Sequence, residues 1–370
     1  MNSKIKILHF TQVGGGVDRY LKLFLKYSNK NMFENIIVGT SAINSEDYEN
    51  NSNGFYEISV PRSFSPIKVF KSVYNLKKIL KLEKPDVVYL HSTFAGVIGR
   101  LACLNEYCKV VYNPHGWSFK MDETRIKLTI YKIIEKLLSY LTDKYVLISE
   151  SEFREAEAIR IPLSKLTLIH NGIDIDRNTA FNSQNFRPEY LKNKYIVGMV
   201  GRLSNQKNPL FFVEFAKLLS EFYDDLFFII VGDGELRNEV EILIDEYGLK
   251  DNFLITGWVS NPEYYLTMFN QAVLFSKWEG LCLAVTEYML FKKPTLVTSI
   301  GGIEDLIIDG KTGFSITNFS ISEAIEKARY IRENPEKSNE IADAAYEFVT
   351  TEFDFKYKVD MIEALFLDLL

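Results

Sequence analysis

The chain has 370 residues, 47% hydrophobic and 25% charged, with a mean hydropathy of −0.06; this length and balance suit two globular domains and exclude a disordered or fibrous chain. A net charge of −6 and only three cysteines, Cys103, Cys108 and Cys282, point away from nucleic acid and from a disulfide scaffold, and fit a reducing cytoplasm. No apolar run approaches the ~18 residues of a membrane span, and "MNSKIKILHF" carries no signal-peptide pattern.

The charge is unevenly spread. Residues 1–170 hold 24 basic and 17 acidic side chains, and residues 171–370 hold 19 and 32. Halves of opposite sign suggest two domains that face different things, the basic one suited to an anionic membrane surface.

In chain order, "KIKILHF" (4–10) predicts a buried strand, "TQVGGG" a glycine turn, and "VDRYLKLFLKYSN" a helix. Strand, glycine turn and helix form the first unit of a doubly wound sheet. "NIIVGT" (35–40) predicts a strand, 65–86 a lysine-rich helix, and "VVYLHS" (87–92) a strand. Helix 94–105, strand 109–116, a long amphipathic helix 125–143 and strand 144–150 follow. The polar stretch 177–193 reads as a linker. The alternation then restarts with strand 194–203, helix 208–222, strand 226–235 and helix 236–248. Short strands are expected at 252–258, 272–276 and 293–299, then helix 322–334 and two more helices to Leu370. Short strands alternating with helices mean parallel sheets. The expected organisation is an α/β N-terminal Rossmann-like domain (1–176), the linker, a second Rossmann-like domain (194–350) across a cleft from it, and a closing helix (351–370) packed back on the first.

Several loops at strand ends carry anion-binding chemistry. Gly14, Gly15 and Gly16 stand between the first strand and its helix, where a backbone can approach a phosphate. They lack the G-x-G-x-x-G spacing of dinucleotide sites, which speaks against a nicotinamide dehydrogenase. Arg202 and Lys207 in "VGRLSNQKNP" are two cations at a strand–helix junction, suited to a diphosphate. "VGDGELR" places Asp233 among glycines at another strand end. "KWEGLCLAVTEYM" (277–289) sets Glu279 and Glu287 in an otherwise apolar segment. Were 279–287 all helix, eight steps of ~1.5 Å would part the two Cα atoms by ~12 Å, too far for an acid–nucleophile pair at ~5 Å. That spacing suits two carboxylates holding two ends of one ligand.

Taken together and in order, "GRLSNQKNP", "VGDGEL", "TGW", "KWEGLCLAVTEYM" and "SIGGIEDLIIDGKTGF" resemble the donor half of the family-four retaining glycosyltransferases of GT-B fold. The "GGG" loop, "NPHGWSF" (113–119) and "IHNGIDID" (169–176) resemble their acceptor half, of the bacterial capsule, exopolysaccharide and O-antigen kind. The resemblance implies a donor that is a nucleotide-diphospho-sugar, most commonly UDP-linked. It places Glu279 against the donor sugar and Glu287 on the ribose, with Arg202 and Lys207 on the diphosphate. Gly15 and Gly16 approach that diphosphate, and His115 lies near the sugar. The amides of Leu281, Cys282 and Leu283 are available to the diphosphate at the start of a helix. A single glycine after Glu279, and Cys282 in place of a smaller residue, bear on sugar preference.

No metal and no other cofactor is expected. The Asp174–Asp176 pair matches a structural loop of the family, and His9, His91, His115 and His170 show no metal spacing. His91 also ends a strand, and Trp117 and Phe119 either line the acceptor side or pack. The expected acceptor is a lipid-diphosphate-linked glycan, met by a cytoplasmic enzyme peripheral to the inner face of the plasma membrane. A nucleotide-sugar epimerase on the same fold and a non-catalytic nucleotide-sugar-binding subunit remain alternatives.

Overall fold

The apolar runs of the sequence become the centres of two parallel sheets. The computed structural model describes residues 4–12, 15–61, 65–120, 123–175 and 187–370. The chain divides into one unit of Met1–Gly172 with Phe355–Leu370, and a second of Ile173–Asp354.

The first unit runs β1 (Ile5–Thr11), α1 (Gly16–Tyr27), β2 (Phe33–Gly39), β3 (Gly54–Glu57), α2 (Pro66–Glu83), β4 (Val87–His91), α3 (Thr93–Ala102), β5 (Lys109–Asn113), α4 (Arg125–Leu138), β6 (Lys144–Leu147), α5 (Glu150–Ala158) and β7 (Leu166–Leu168). Its seven strands lie in the order β3-β2-β1-β4-β5-β6-β7. At the centre Leu8 sits level with Ile36 on one side and Val88 on the other. β4 is buried along its whole length, as expected of a strand covered by helices on both faces.

α4 is shorter than its amphipathic pattern suggested, ending at Leu138 before a tight turn at Ser139–Leu141. Its anchor is polar. Glu135 accepts from Arg100 on α3 at 2.9 Å, both side chains being buried, and the guanidinium lies over the Tyr112 ring. Burial works against the Arg100 charge, but the charge of Glu135, with the Tyr112 and Tyr145 phenols, outweighs it and raises its pKa.

The second unit runs β8 (Tyr195–Val200), α6 (Pro209–Leu219), β9 (Leu226–Val231), α7 (Arg237–Glu246), β10 (Phe253–Ile255), α8 (Pro262–Met268), β11 (Gln271–Leu274), α9 (Leu283–Leu290), β12 (Thr295–Thr298), β13 (Phe314–Ile316), α10 (Ile321–Glu333) and α11 (Pro335–Glu352). Its strands lie in the order β10-β9-β8-β11-β12-β13. α9 is apolar nearly all round and buried from Val285 to Leu290, as a helix with no solvent face must be. Residues 187–193 are not a free tether. Arg187 donates to the carbonyls of Lys194 and Met268, and Leu191 is buried.

The last helix, α12 (Phe355–Leu369), belongs to the first unit. Its Phe355, Val359, Ile362 and Phe366 join a core with β1, α1 and β4, at about 2 kcal/mol of burial for each large apolar side chain.

Candidate functional site

In an open parallel sheet, ligands bind beyond the carboxyl ends of the strands where the strand order reverses. In the second unit that point lies between β8 and β11. The loop after β8 brings in Arg202 and Lys207, and the loop after β11 brings in Glu279. The two loops are stitched together: the Lys277 amide donates to the Gln206 carbonyl (2.8 Å), and Gln206 Nε2 donates back to the Trp278 carbonyl (2.9 Å).

Within that stitch Lys207 Nζ lies 2.6 Å from Glu279 Oε1 and 3.7 Å from Cys282 Sγ. The Lys207 and Glu279 side chains are only 17% and 7% exposed. Burial alone would lower the lysine pKa, but Cys282 and Glu279 more than reverse it, so the cation is held firmly protonated. Burial, with Glu279 nearby, pushes the Cys282 thiol up to about 11, against the pull of Lys207 and the Val285 and Ala284 amides. Cys282 is thus a neutral thiol at the cap of α9.

Glu279 is held from behind by its own backbone. Gly301 has φ +51°, and a Cβ there would stand 2.3 Å from the Glu279 carbonyl oxygen. The Gly302 amide approaches the same oxygen at 3.4 Å. Only glycine fits at 301, on both backbone and space grounds.

A continuous helix from Glu279 to Glu287 is not what forms. α9 begins at Leu283 with Cys282 as its cap, so Glu279 sits in the loop and only Glu287 is helical. Leu281 stands ahead of the cap, and the first helical amides are those of Leu283 and Ala284. Val285 and Thr286 donate to the Cys282 carbonyl. Glu287 is 5% exposed on the same helix. The helix cap and both acids therefore lie within one short stretch of chain, on loop and helix respectively.

Arg202 and Asp233 are already paired. Arg202 donates to Glu235 at 3.0 Å, both being well exposed. Asp233 takes the Gly234 amide (2.8 Å) and pairs with Arg237 (2.9 Å), pinning the turn after β9. The Leu203 amide donates to the Asp233 carbonyl (2.9 Å), joining this turn to the loop after β8. Gly232, at φ +149°, comes so close to Gly201 that a Cβ would lie 2.0 Å from its oxygen.

In the first unit the strand order reverses between β1 and β4. Gly15 and Gly16 open α1 there, with nothing within 4 Å of where a Cβ would lie on either. Val13 and Gly14 lie outside the described residues, as does Asp176 of the Asp174–Asp176 pair. Ser92 and His115 follow β4 and β5, both in the left-handed region (φ 71° and 51°). Such backbone in non-glycine residues costs on the order of 1–3 kcal/mol and gathers where function demands it.

His115 is partly buried beside Tyr20, with ring centroids 4.7 Å apart. Burial drives its pKa down to about 3, so it is neutral. His91 is fully buried, 3.0 Å from His115 through Nδ1, and so lies behind the exposed edge. Trp117 and Phe119 pack: they stack at 5.1 Å in the core, and Trp117 donates to the Glu152 carbonyl. Among the described residues no three His, Cys, Asp or Glu side chains are grouped to hold a metal.

Sequence reasoning passed over Gln206, which ties the two loops, and the backbone support of Gly301. Gln206 stood inside a motif already singled out. Gly301 belonged to the "SIGGIED" stretch, whose contact with Glu279 has no local signal.

Two family models divide the chain between them: Glycosyltransferase Family 4 over residues 14–177 and Glycosyl transferases group 1 over residues 182–348. The chain is also 30% identical, over 100% of its length and 98% of the relative's, to the UDP-Gal:alpha-D-GlcNAc-diphosphoundecaprenol alpha-1,3-galactosyltransferase of Escherichia coli. The chain belongs to glycosyltransferase family four. It is a glycosyltransferase of polysaccharide biosynthesis. A glycosyltransferase from Rickettsia africae superposes with a TM-score of 0.81 at 20% identity, covering 99% of this chain and 98% of that one. HepE from Anabaena, crystallised with UDP and glucose, gives 0.79 at 18% identity over 99% and 100%. This transferase has the GT-B fold.

Proposed function

We propose that this transferase moves a hexose from a UDP-sugar to a sugar carried on a lipid diphosphate, with retention at the anomeric carbon and without a metal. The carrying observation is the Lys207–Glu279 pair at the switch point of the second sheet, beside the cap of α9. As the bond from anomeric carbon to diphosphate breaks, the electron pair leaves with the nucleotide. Lys207, Arg202 and the first amides of α9 are the positive groups for that charge, which is electrostatic catalysis. Lys207 bridges diphosphate and Glu279, leaving the other carboxylate oxygen to orient the sugar. Glu287 accepts the ribose hydroxyls. Gly15 and Gly16 leave backbone open to the diphosphate, and His115 serves the sugar. The acceptor hydroxyl attacks the face the nucleotide leaves, and its proton goes to a phosphate oxygen.

The Escherichia coli relative supports this reading. Its name joins a UDP-sugar, a diphosphoundecaprenol-linked acceptor and an alpha product. UDP-hexoses are ordinarily alpha-linked, so an alpha product is retention. The test is calorimetric titration with UDP, GDP, ADP and dTDP in EDTA. UDP binding that Glu287→Ala abolishes is expected, followed by a product with an alpha anomeric proton. No nucleotide binding without metal, or a beta product, overturns the reading.

The acceptor's lipid implies a membrane, and α4 fits one. Ile126, Ile130, Ile133 and Leu137 form a single stripe, each between 48% and 75% exposed, flanked by Arg125, Lys127, Lys132 and Lys136. α2 shows the same inversion at Ile67, Phe70 and Tyr74. Apolar residues facing out between cations are the pattern of a helix lying in an anionic interface. Among the described residues no helix is long and apolar enough to cross a membrane, and the attachment proposed through these faces is peripheral. Ile130→Glu with Ile133→Glu should release the protein from anionic liposomes, and reversal of Lys78 and Lys81 should weaken it. Lys77 is tied to the Leu104 carbonyl and Glu106 and contributes less. Wild-type protein that ignores anionic liposomes at low salt sinks this placement.

A further inference from the structure

Behind His115 an unbroken line of polar side chains crosses the first unit to its last helix. His115 Nε2 lies 3.0 Å from His91 Nδ1, and His91 Nε2 lies 3.4 Å from His9 Nδ1. His9 Nε2 lies 2.9 Å from Asn35 Oδ1. Asn35 Nδ2 donates to Ser28 Oγ (2.9 Å), and Ser28 Oγ donates to Glu363 Oε1 on α12 (2.6 Å). The line thus draws on β1, α1's end, β2, β4, the loop after β5, and α12. His9 and His91 are wholly buried, and Asn35, Ser28 and Glu363 almost so.

The direction of every bond is determined. Glu363 Oε1 also takes the Asn29 amide (3.0 Å), and as a carboxylate it can only accept. The single Ser28 hydrogen therefore goes to Glu363, and Ser28 Oγ accepts from the Asn35 amide nitrogen. This fixes the Asn35 flip, which places its oxygen toward His9. His9 then carries its hydrogen on Nε2. A neutral imidazole with a hydrogen on Nε2 has only a lone pair on Nδ1, so His91 must donate from its own Nε2. The same step repeats to His115.

We propose that Glu363, Ser28, Asn35, His9 and His91 form a one-directional hydrogen-bond relay that holds His115 in its Nε2–H tautomer, with the Nδ1 lone pair left as the acceptor at the site. The surroundings keep the three rings uncharged. Burial lowers His9 to about 4 and His115 to about 3, and burial, with His115 and His9 on either side, holds His91 well below its usual value. The titratable neighbours are Tyr20 from α1 and Tyr89 on β4, whose hydroxyls bond each other at 2.8 Å. Asn113 Nδ2 donates to Tyr89 (3.2 Å). Burial raises both phenols, and it raises Glu363 as well, against the Ser28 and Asn29 bonds. Among the described residues no acid thus stands beside the rings to favour their charged form.

The consequence for transfer rests on the proposed function. A His115 that offers a lone pair accepts a hydroxyl hydrogen of a bound sugar, whereas the opposite tautomer would offer a hydrogen and force that hydroxyl to turn and accept instead. Glu363, Ser28, Asn35, His9 and His91 are positioning residues: they act only through His115.

The tautomer is read without any substrate. In ligand-free protein with 15N-labelled histidine, long-range 15N–1H correlation spectra distinguish the two tautomers of each ring. Wild-type His9, His91 and His115 should all show neutral Nε2–H forms at pH 7. Ser28→Ala frees the Asn35 amide to turn and present Nδ2 to His9, which reverses every step. The Nδ1–H form of His115 should then appear, more than 80 residues away in sequence. Ser28→Thr, which keeps the hydroxyl, should restore the wild-type tautomer. Glu363→Ala reaches the relay from its far end, serves if Ser28→Ala does not fold, and should have the same effect. With UDP-sugar and acceptor, Ser28→Ala should lower kcat roughly 10- to 100-fold, the range for loss of an orienting partner, with little change in the donor KM. An Nδ1–H His115 in the wild type, or one unmoved by both Ser28→Ala and Glu363→Ala, overturns the relay. A moved tautomer with unchanged kcat leaves the relay standing and overturns the place of His115 in the transfer.

Discussion

Mild acid should unfold the first unit before the second. All four histidines lie in the first unit and none in the second. In the unfolded chain a histidine takes its proton near pH 6.5. In the folded unit His9 does so only at about 4 and His115 at about 3, and His91 lies well below its usual value. Between about pH 6.5 and 4 the unfolded state therefore binds more protons. The stability carried by the neutral rings is complete above pH 6.5 and is lost as pH falls toward the folded values. At pH 5.0 each ring accounts for about 2 kcal/mol at ~1.4 kcal/mol per unit, so about 6 kcal/mol for three. That is an appreciable part of a domain's typical ~5–15 kcal/mol. At a urea slope of about 2–3 kcal/mol per molar, the midpoint should fall by roughly 2 M between pH 7.5 and 5.0. Trp117 in the core of the first unit reports that transition in a Trp258→Phe/Trp278→Phe background. Trp117→Phe leaves Trp258 and Trp278 to report the second. Equal shifts in the two backgrounds, or no shift in the first, would show that the rings are not held neutral by the fold.

Two further outcomes follow from single contacts. Glu135→Ala strands the Arg100 guanidinium in the core, where loss of one partner of a buried pair costs about 3–5 kcal/mol; calorimetric melting should show it, and Arg100→Met with Glu135→Leu should recover most of the loss. Gly301→Ala places a methyl 2.3 Å from the Glu279 carbonyl oxygen in a left-handed backbone; it should shift Glu279 off Lys207 and lower turnover by about 10²-fold while UDP still binds, and wild-type turnover would refute the bracing role.

What the sequence made legible is local. Central strands such as β4 and β9 are unbroken apolar runs because both faces are covered. The strands that escaped, β3, β7 and β13, are three or four residues long and lie at sheet edges. A short edge strand buries too little to write a period of two over enough positions. The loops proposed to hold the donor were legible as well, since Arg202, Lys207, Glu279 and Glu287 stand in compact motifs at strand ends. Their partners were less so. Nothing in "NQKNP" states that Lys207 rests on Glu279, because that contact depends on β8 and β11 being neighbours although two strands separate them in sequence.

The same argument explains why three histidines spread over the first third of the chain carried no pattern. His9 and His91 end up side by side because β1 and β4 are neighbours, with Thr11 level with His91. His115 follows β5, which is β4's other neighbour. A parallel sheet puts the carboxyl ends of its strands along one edge, so residues near the ends of three adjacent strands must meet there whatever lies between them. Glu363 joins them only because the chain's last helix returns to the first unit. Sequence distance hides such a line, and sheet order reveals it. Its chemistry also differs from that of the loops after β8 and β11. Lys207 and Glu279 form an ion pair between two loops and are recognisable one by one. The relay is buried and its three rings are neutral, and each of its members looks like an ordinary core residue until the direction of its hydrogen bond is followed to the next.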